Sequence, residues 1–509
     1  MKPERGNSAW ITGAILVACL SLRLALAWMP LAGVHGWRQC DTASVASNFA
    51  TESMNLLRPR VDWRGDGPGY VEMEFPLFPW VVAAAYRLVG VHDAVGRIAA
   101  ALGGVAACWW LLRLATRTSG PVVARWSALL FAILPLNVYY GAAFMPESWM
   151  IAASVGGVHH FLRWRQGDGG WHGWASFSCI ALAVLLKPTA LCLGLVLLWI
   201  LLSVRPAAGP DAFGRPLRDA RAWLFAAGVL GVAGGWMWWA NRLGHETGLS
   251  FGILRSDKFA DWTLAASPGF WYRMLVERLM ERHLAWGAAA LAVAGWMRAR
   301  WSAEERLFDV WLIALLAGTA IASKGNDLHE YYQLPWSLPL AFFAGRGVAG
   351  AAMRGRGWFV VAAMLSVAVL GPGRLIEYAG TARRHAAALT ATAHAMQSLG
   401  ASPLPVIVVS SRQTGDPSLL HHAGAKGWLL SPEQLDPATV ADLKSRGAAY
   451  ICGIHRTFTP DPPGSWRHDL LIGLGLAEPP AAPRQTSCVS GLGRVVHEDA
   501  FGFIVRLSP

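Results

Sequence analysis

Ionisable side chains are scarce in this chain, which is 54% hydrophobic and 15% charged. Five clusters hold residues able to do chemistry. In Trp37-Arg38-Gln39-Cys40-Asp41-Thr42, a carboxylate follows a guanidinium by three positions. Asp41 there can serve as a general base or cap a helix N-terminus. In Glu72-Met73-Glu74-Phe75-Pro76, two carboxylates stand at i and i+2, which share a face on an extended segment. They could hold a cation, pair with Arg38 or face water. Met145-Pro146-Glu147-Ser148 carries one acid in a short turn, where it also suits a helix N-terminus. Lys187-Pro188 sets an ammonium beside a helix breaker, so the lysine could hold a phosphate as a point charge or snorkel to water. Finally, Lys324-Gly325-Asn326-Asp327-Leu328-His329-Glu330-Tyr331-Tyr332-Gln333-Leu334-Pro335 gathers cationic, amide and phenolic groups suited to a phosphate or a sugar.

The elements that must position these clusters are membrane helices. Crossing ~30 Å of hydrocarbon takes about 20 mostly apolar residues. The apolar stretches are 9–31, 96–116, 122–144, 148–164, 171–187, 189–204, 222–241, 283–298, 306–323, 334–350 and 358–376, an expectation of 11 spans within a range of 10–13. With the N-terminus cytoplasmic, the inner loops carry Lys2 and Arg5; Arg113, Arg117 and Arg125; Arg163 and Arg165; Arg205, Arg215, Arg218 and Arg221; Arg298, Arg300 and Arg306; and Arg346, Arg354 and Arg356. Every inner loop is then basic, as the positive-inside rule requires. This disposes of much of the net charge of +12 without nucleic acid, and no interleaved basic and aromatic patch points to RNA. The 27 tryptophans fit a bilayer interface. All five clusters fall on the outer face.

Ala25-Leu26-Ala27 looks like a signal-peptide cleavage site, but apolar character continues through Met29 and Leu31, so the first segment reads as a retained helix. Arg23 within it is expected to snorkel to the interface. Gly231 and Gly235 form a small-xxx-small pair suited to helix packing. Phe75 to Gly90 is apolar but short, and crossing there would invert every later loop, so it reads as a helix lying in the interface.

The organisation expected is a membrane domain over 1–379, with 32–95 as its first outer loop, and a small extra-cytoplasmic α/β domain over 380–509. In the latter, Val406–Val409, Tyr450–Ile454 and Phe503–Val505 read as buried strands, and 383–398 and 438–446 as helices. Seven cysteines without a CxxC pair make neither a zinc site nor a disulfide framework, although Cys452 and Cys488 could pair in an oxidising compartment or stay free. GxxxxGK[ST] is absent, and the GxGxxG spacing at Gly345-Arg346-Gly347-Val348-Ala349-Gly350 falls inside the apolar stretch 334–350 rather than at a strand-to-helix turn, so nothing points to nucleotide use.

The ordered set Trp37–Asp41, Glu74-Phe75-Pro76, Pro146-Glu147, Lys187-Pro188 and Lys324…Tyr331-Tyr332…Pro335 resembles the GT-C glycosyltransferases over roughly residues 9–340. Within them it is most similar to the protein O-mannosyltransferase-like group, which includes the lipid A aminoarabinose transferase. The resemblance implies a polytopic α-helical GT-C fold and inverting transfer of a hexosyl or pentosyl group from a polyprenyl-phosphate donor. The acceptor would be lipopolysaccharide, another glycolipid, a polysaccharide or a protein on the periplasmic face of a bacterial inner membrane. It implies that Asp41 is the catalytic base or orients the acceptor, that Glu147 is the second acidic position, and that Lys187 and Lys324 attend the lipid phosphate. Tyr331-Tyr332 matches the late aromatic pair; Arg38, Gln39, Glu72, Glu74 and His329 are the accompanying candidates for substrate contact. A divalent cation is compatible with Glu72 and Glu74. The sequence departs from the pattern at Thr42, where a second acid is common, at Phe75, where the aminoarabinose transferase has Lys, and at Glu147, where Asp is usual.

Two rival classes exist. A transporter or flippase of lipid-linked sugars would place ionisable groups near the midplane of broken helices and show internal repeats. Here the charges lie at helix mouths and no repeat is visible. A structural partner would act through residues 380–509.

Overall fold

The computed structural model describes residues 5–204, 219–253, 261–401, 404–410, 415–455, 489 and 491–507. Its helices are α1 (Arg5–Leu24), α2 (Gly36–Thr51), α3 (Leu77–Val89), α4 (Asp93–Ile133), α5 (Pro135–Gly141), α6 (Glu147–Arg165), α7 (Trp171–Leu186), α8 (Leu193–Ser203) and α9 (Ala220–Thr247). They continue with α10 (Trp262–Ala266), α11 (Pro268–Trp271), a wide-turn segment Tyr272–His283, α12 (Gly287–Trp296), α13 (Ala303–Ile321), α14 (Ser323–Leu328), α15 (Ser337–Met353), α16 (Gly357–Ser398), α17 (Ser418–Ala423) and α18 (Pro437–Ser445). Among the described residues, α4, α9 and α16 are long and apolar enough to cross a membrane.

Local chemistry explains where these helices break. In α4, Gly120 has φ 84° and Pro121 has no N–H, so the ladder is interrupted there. The break falls between the expected spans 96–116 and 122–144. α16 does the opposite: it runs unbroken through Pro372 and past residue 380, joining the expected span 358–376 to the helix expected at 383–398. Tyr378 and Ala382 are buried along that stretch, and Arg374 meets Glu377 at 2.7 Å one turn on.

α1 ends at Leu24, short of the expected 31, and a chain of tight turns carries Leu31 and Ala32 into the core. Arg23 does not snorkel. It is 1% exposed and donates to Cys19 O at 2.8 Å and Ala132 O at 3.2 Å. Two glycines make room for it, since a Cβ on Gly104 or Gly141 would lie 2.5 Å from Arg23 Nε. A buried guanidinium needs acceptors, and backbone carbonyls supply them here. Gly231 and Gly235 have nothing within 4 Å of a built Cβ. The close approach is instead between α12 and α15, where Cβ atoms on Gly295 and Gly347 would lie 1.8 Å from Phe343 O and 2.1 Å from Leu291 O.

The C-terminal sheet contains β1 (Val406–Val409), β2 (Gly427–Leu430), β3 (Tyr450–Ile454), β4 (Arg494–Glu498) and β5 (Gly502–Arg506), in the order β2-β1-β3-β5-β4. β1 pairs in parallel with β2 and β3, while β5 is antiparallel to β3 and β4. The three strands expected from sequence form the centre, where β1 and β3 are buried along their whole length. β2 and β4 are the edges, partly open to solvent, and lack the continuous apolar run that betrays a central strand. Leu389 and Met396 of α16 pack on Val406, Val408 and Ile504, so α16 ties the sheet to the helical region. Cys452 is buried in this core, while Cys488 lies outside the described residues.

Candidate active site

α7 stops at Leu186 because Pro188 cannot continue it, and Lys187 leaves the helix in an extended conformation (φ −153°, ψ 113°). Its Nζ lies 3.0 Å from Glu147 Oε1 and 3.6 Å from Glu74 Oε1. Arg38 on α2 donates to the same Glu74 oxygen. Glu147 is the first residue of α6. Glu74 is held by the backbone beside it, where Phe75 N bonds Leu185 O at 3.0 Å and Pro76 immediately precedes α3. All four side chains are buried. Two cations thus balance two carboxylates where a lone charge would be costly.

An aromatic wall closes this group. Lys187 Nζ is 5.5 Å from the Tyr331 ring and 5.7 Å from the Tyr332 ring, within cation–π range. The His329 ring stacks on Tyr331 at 5.3 Å and approaches Trp37 at 5.7 Å. Behind the wall, Glu330 accepts hydrogen bonds from Tyr140 Oη (2.7 Å) and Tyr378 Oη (2.5 Å) and pairs with Arg282 at 3.2 Å. Burial pushes the Glu330 carboxyl upward, but Arg282, His35 and the two phenols outweigh it and hold it down at about 2. No role falls to Glu330 in the sequence reading. Its partners come from α5, the wide-turn segment and α16, and no local pattern links them. Gln39 anchors the same region by accepting from Phe144 N at 3.0 Å.

Asp41 does not cap α2. The helix begins at Gly36 after His35, and Asp41 sits inside it, buried. Its Oδ1 accepts a 2.8 Å hydrogen bond from Trp63 Nε1. Burial pushes its carboxyl up to about 7, with Asp416 and Asp62 adding to the rise and Arg38 and Trp63 opposing it. Phe251 bridges toward the lysine group: Trp63 packs on it at 6.0 Å, and the Arg38 guanidinium lies over it at 4.8 Å.

Two expected members go elsewhere. Glu72 and Glu74 do not act on a shared face, because Glu72 accepts from Ser250 Oγ and from Gly252 N at 3.0 Å. A short bridge between Glu72 and Ser250 turns it away. Lys324 is partly exposed and lies 3.9 Å from Asp261 Oδ2. Among the described residues, no group of three or more His, Cys, Asp or Glu is gathered to hold a metal ion. The expected pairing of Glu72 with Glu74 around a cation therefore has no geometric support.

Beside the aromatic wall lies a small, partly open pocket lined by Ile151, Leu193, Trp311, Leu315, Tyr332 and Trp336 among others. Tyr332 is common to both, so an apolar groove opens next to the buried ammonium.

Residues 68–239 match the dolichyl-phosphate-mannose-protein mannosyltransferase family. No curated protein matches the chain by sequence. Among solved structures, ArnT from Cupriavidus metallidurans bound to undecaprenyl phosphate is similar at 15% identity with a TM-score of 0.62, covering 99% of this chain and 100% of that one. The oligosaccharyltransferase AglB from Archaeoglobus fulgidus, in complex with an inhibitory peptide and a dolichol-phosphate, aligns at 12% identity and TM-score 0.54, covering 89% and 70%. The arabinofuranosyltransferase AftD from Mycobacteria aligns at 15% identity and TM-score 0.52, covering 98% of this chain and 42% of that one. The chain is thus similar to that mannosyltransferase family over residues 68–239, and along its length it shares the fold of these solved glycosyltransferases.

Proposed function

We propose that this protein is an inverting glycosyltransferase that moves a sugar from a polyprenyl-phosphate donor to a hydroxyl-bearing acceptor at the periplasmic face of a bacterial inner membrane. The observation that carries the reading is the buried Lys187 ammonium between Glu147 and Glu74, next to an apolar groove. A polyprenyl phosphate presents an anion on a long hydrocarbon, and this juxtaposition suits both parts. ArnT and AglB, with the same fold, were solved with undecaprenyl phosphate and dolichol-phosphate. The acceptor class includes glycolipid or lipopolysaccharide, polysaccharide and protein. The chain would cross the membrane about 11 times (10–13), with the 380–509 region outside and the N-terminus inside.

In this reading the donor phosphate enters beside Lys187 and Arg38, displacing carboxylate partners from the cations. Asp41 takes the proton of the acceptor hydroxyl as its oxygen attacks the anomeric carbon. The bond from that carbon to the phosphate oxygen breaks, and the electron pair leaves on the phosphate. Lys187 and Arg38 stabilise the charge that builds there, and such placed charges matter most in a water-poor site. Glu147 faces the electron-poor sugar centre or an acceptor hydroxyl. Tyr331, Tyr332 and His329 offer ring faces to the sugar, and Trp37 stands behind them. Glu72 and Lys324 lie at the margin and would contact the acceptor or donor only through its outlying groups.

The test is transfer from defined polyprenyl-phosphate sugars by the purified protein, with Asp41→Asn and Lys187→Met beside wild type. Loss of transfer in both folded variants is expected. Full turnover by Asp41→Asn would remove that residue from the base role.

A further inference from the structure

Asp41 is backed by a part of the chain far away in sequence. α17 packs against α2, and near that contact stand four acids and the His421 imidazole. His421 Nε2 lies 3.1 and 3.4 Å from the two carboxylate oxygens of Asp93, the first residue of α4. Asp416 Oδ1 accepts a 2.9 Å hydrogen bond from Ser418 N at the start of α17. Asp62 Oδ1 accepts from Asn48 Nδ2 of α2 at 2.9 Å. Asp41 completes the set: Trp63, next to Asp62 in the chain, donates to its Oδ1 at 2.8 Å, and both Asp416 and Asp62 raise its carboxyl. The other charged or titratable groups facing this cluster are Arg38 and Cys40 on α2, Tyr86 on α3, Arg64 and Lys426 beside Asp62, Arg97 on α4, and His422 with His385 of α16 behind it. Burial opposes a charge on His421, but Asp93, with Asp62 and Asp41, outweighs it, so the imidazole is protonated more readily than usual. Like charges this close suppress one another's ionisation, and a cation among them relieves it.

We propose that His421 is a positioning residue for Asp41: held by Asp93, it supplies the positive charge that lets Asp41 ionise amid Asp62 and Asp416, which makes α17 part of the active site. This rests on Asp41 acting as the general base. Asp416 acts in the opposite sense, as an anion that holds the proton on Asp41. The C-terminal sheet would then tune the chemistry of the membrane region as well as cover it.

The experiment compares pH–kcat profiles of the full-length protein with His421→Gln, His421→Lys and Asp416→Asn, using a defined polyprenyl-phosphate sugar. Gln keeps a donor for Asp93 without the charge, and Asn keeps the acceptor for Ser418 N. The acidic limb is expected to move up by ~0.5–1 pH unit in His421→Gln and down by about as much in Asp416→Asn, with His421→Lys returning toward wild type. Donor KM should stay within about twofold, because neither residue meets the donor in this reading. A purely structural role would lower kcat at every pH and leave the limb in place. That result, or limbs moving in the same direction, overturns the proposal. If His421→Gln does not fold, His421→Asn takes its place: an unmoved limb overturns it. Asp41→Asn in the same assay separates the two ideas. Its undiminished rate would defeat the base assignment, whereas its collapse alongside unmoved limbs in the other variants would defeat only the role of His421.

Discussion

Lys187 Nζ and Glu147 Oε1 are 3.0 Å apart, at the end of one helix and the start of another. The pair is buried, and Glu74 shares the lysine at 3.6 Å. Breaking such a pair by removing one partner usually costs about 3–5 kcal/mol, because the other charge stays buried. Lys187→Met is therefore expected to lower the melting temperature in detergent and to cut transfer by at least ~100-fold. Adding Glu147→Gln to it should recover part of the melting temperature and none of the activity. Recovery of activity in the double variant would place the lysine in a structural role only.

The pH dependence follows from Asp41. Its carboxyl is pushed up to about 7, chiefly by burial. A base must be ionised, so the rate should climb as pH rises through about 7. For stability the sign is the reverse of the usual carboxylate case. The folded state holds this proton more tightly than the unfolded state, whose value is near 3.8, so the contribution of Asp41 to stability falls as pH rises from about 4 to about 7. Asp41→Asn should flatten that slope in a pH series of melting curves while reducing transfer by ~10²-fold or more.

Glu330 has the opposite shift. Arg282, His35, Tyr378 and Tyr140 hold its carboxyl at about 2 against burial. Its ionised form stabilises the fold above the unfolded value of 4.5, and that contribution is lost as pH falls through about 2. Glu330→Gln should cost about 3 kcal/mol at pH 7 and progressively less below pH 4.5, read from chemical or thermal unfolding. Equal destabilisation at pH 7 and pH 3 would contradict the charge-based account.

Close helix contact yields a prediction of steric origin. A methyl on Gly295 or Gly347 would collide with backbone carbonyls of the facing helix, which cannot rotate away as a side chain can. Gly295→Ala and Gly347→Ala should each cost about 1–3 kcal/mol or more by overpacking. Gly235→Ala, with nothing within 4 Å, should leave the melting temperature near wild type.

Much of the architecture was legible along the chain because it is local. Apolar runs of membrane length, Pro188 at the end of α7, Gly120-Pro121 inside α4 and the buried runs of β1, β3 and β5 each carry their own signal within a few residues. The spacing of scarce acids and lysines likewise pointed to Arg38, Asp41, Glu74, Glu147 and Lys187, because an ionisable group in apolar surroundings needs a reason to persist. Which of them meet is a different matter. Charge partners are chosen by helices that approach in three dimensions, so Lys187 joins Glu147 and Glu74 while Lys324 joins Asp261, though both are lysines at helix mouths. Arg23 is buried rather than at the interface because Gly104 and Gly141, distant in sequence, leave room for it. Asp41 sits within α2, which packs against α17, a relation that tertiary packing alone could decide, since nothing near residue 41 announces a histidine at 421.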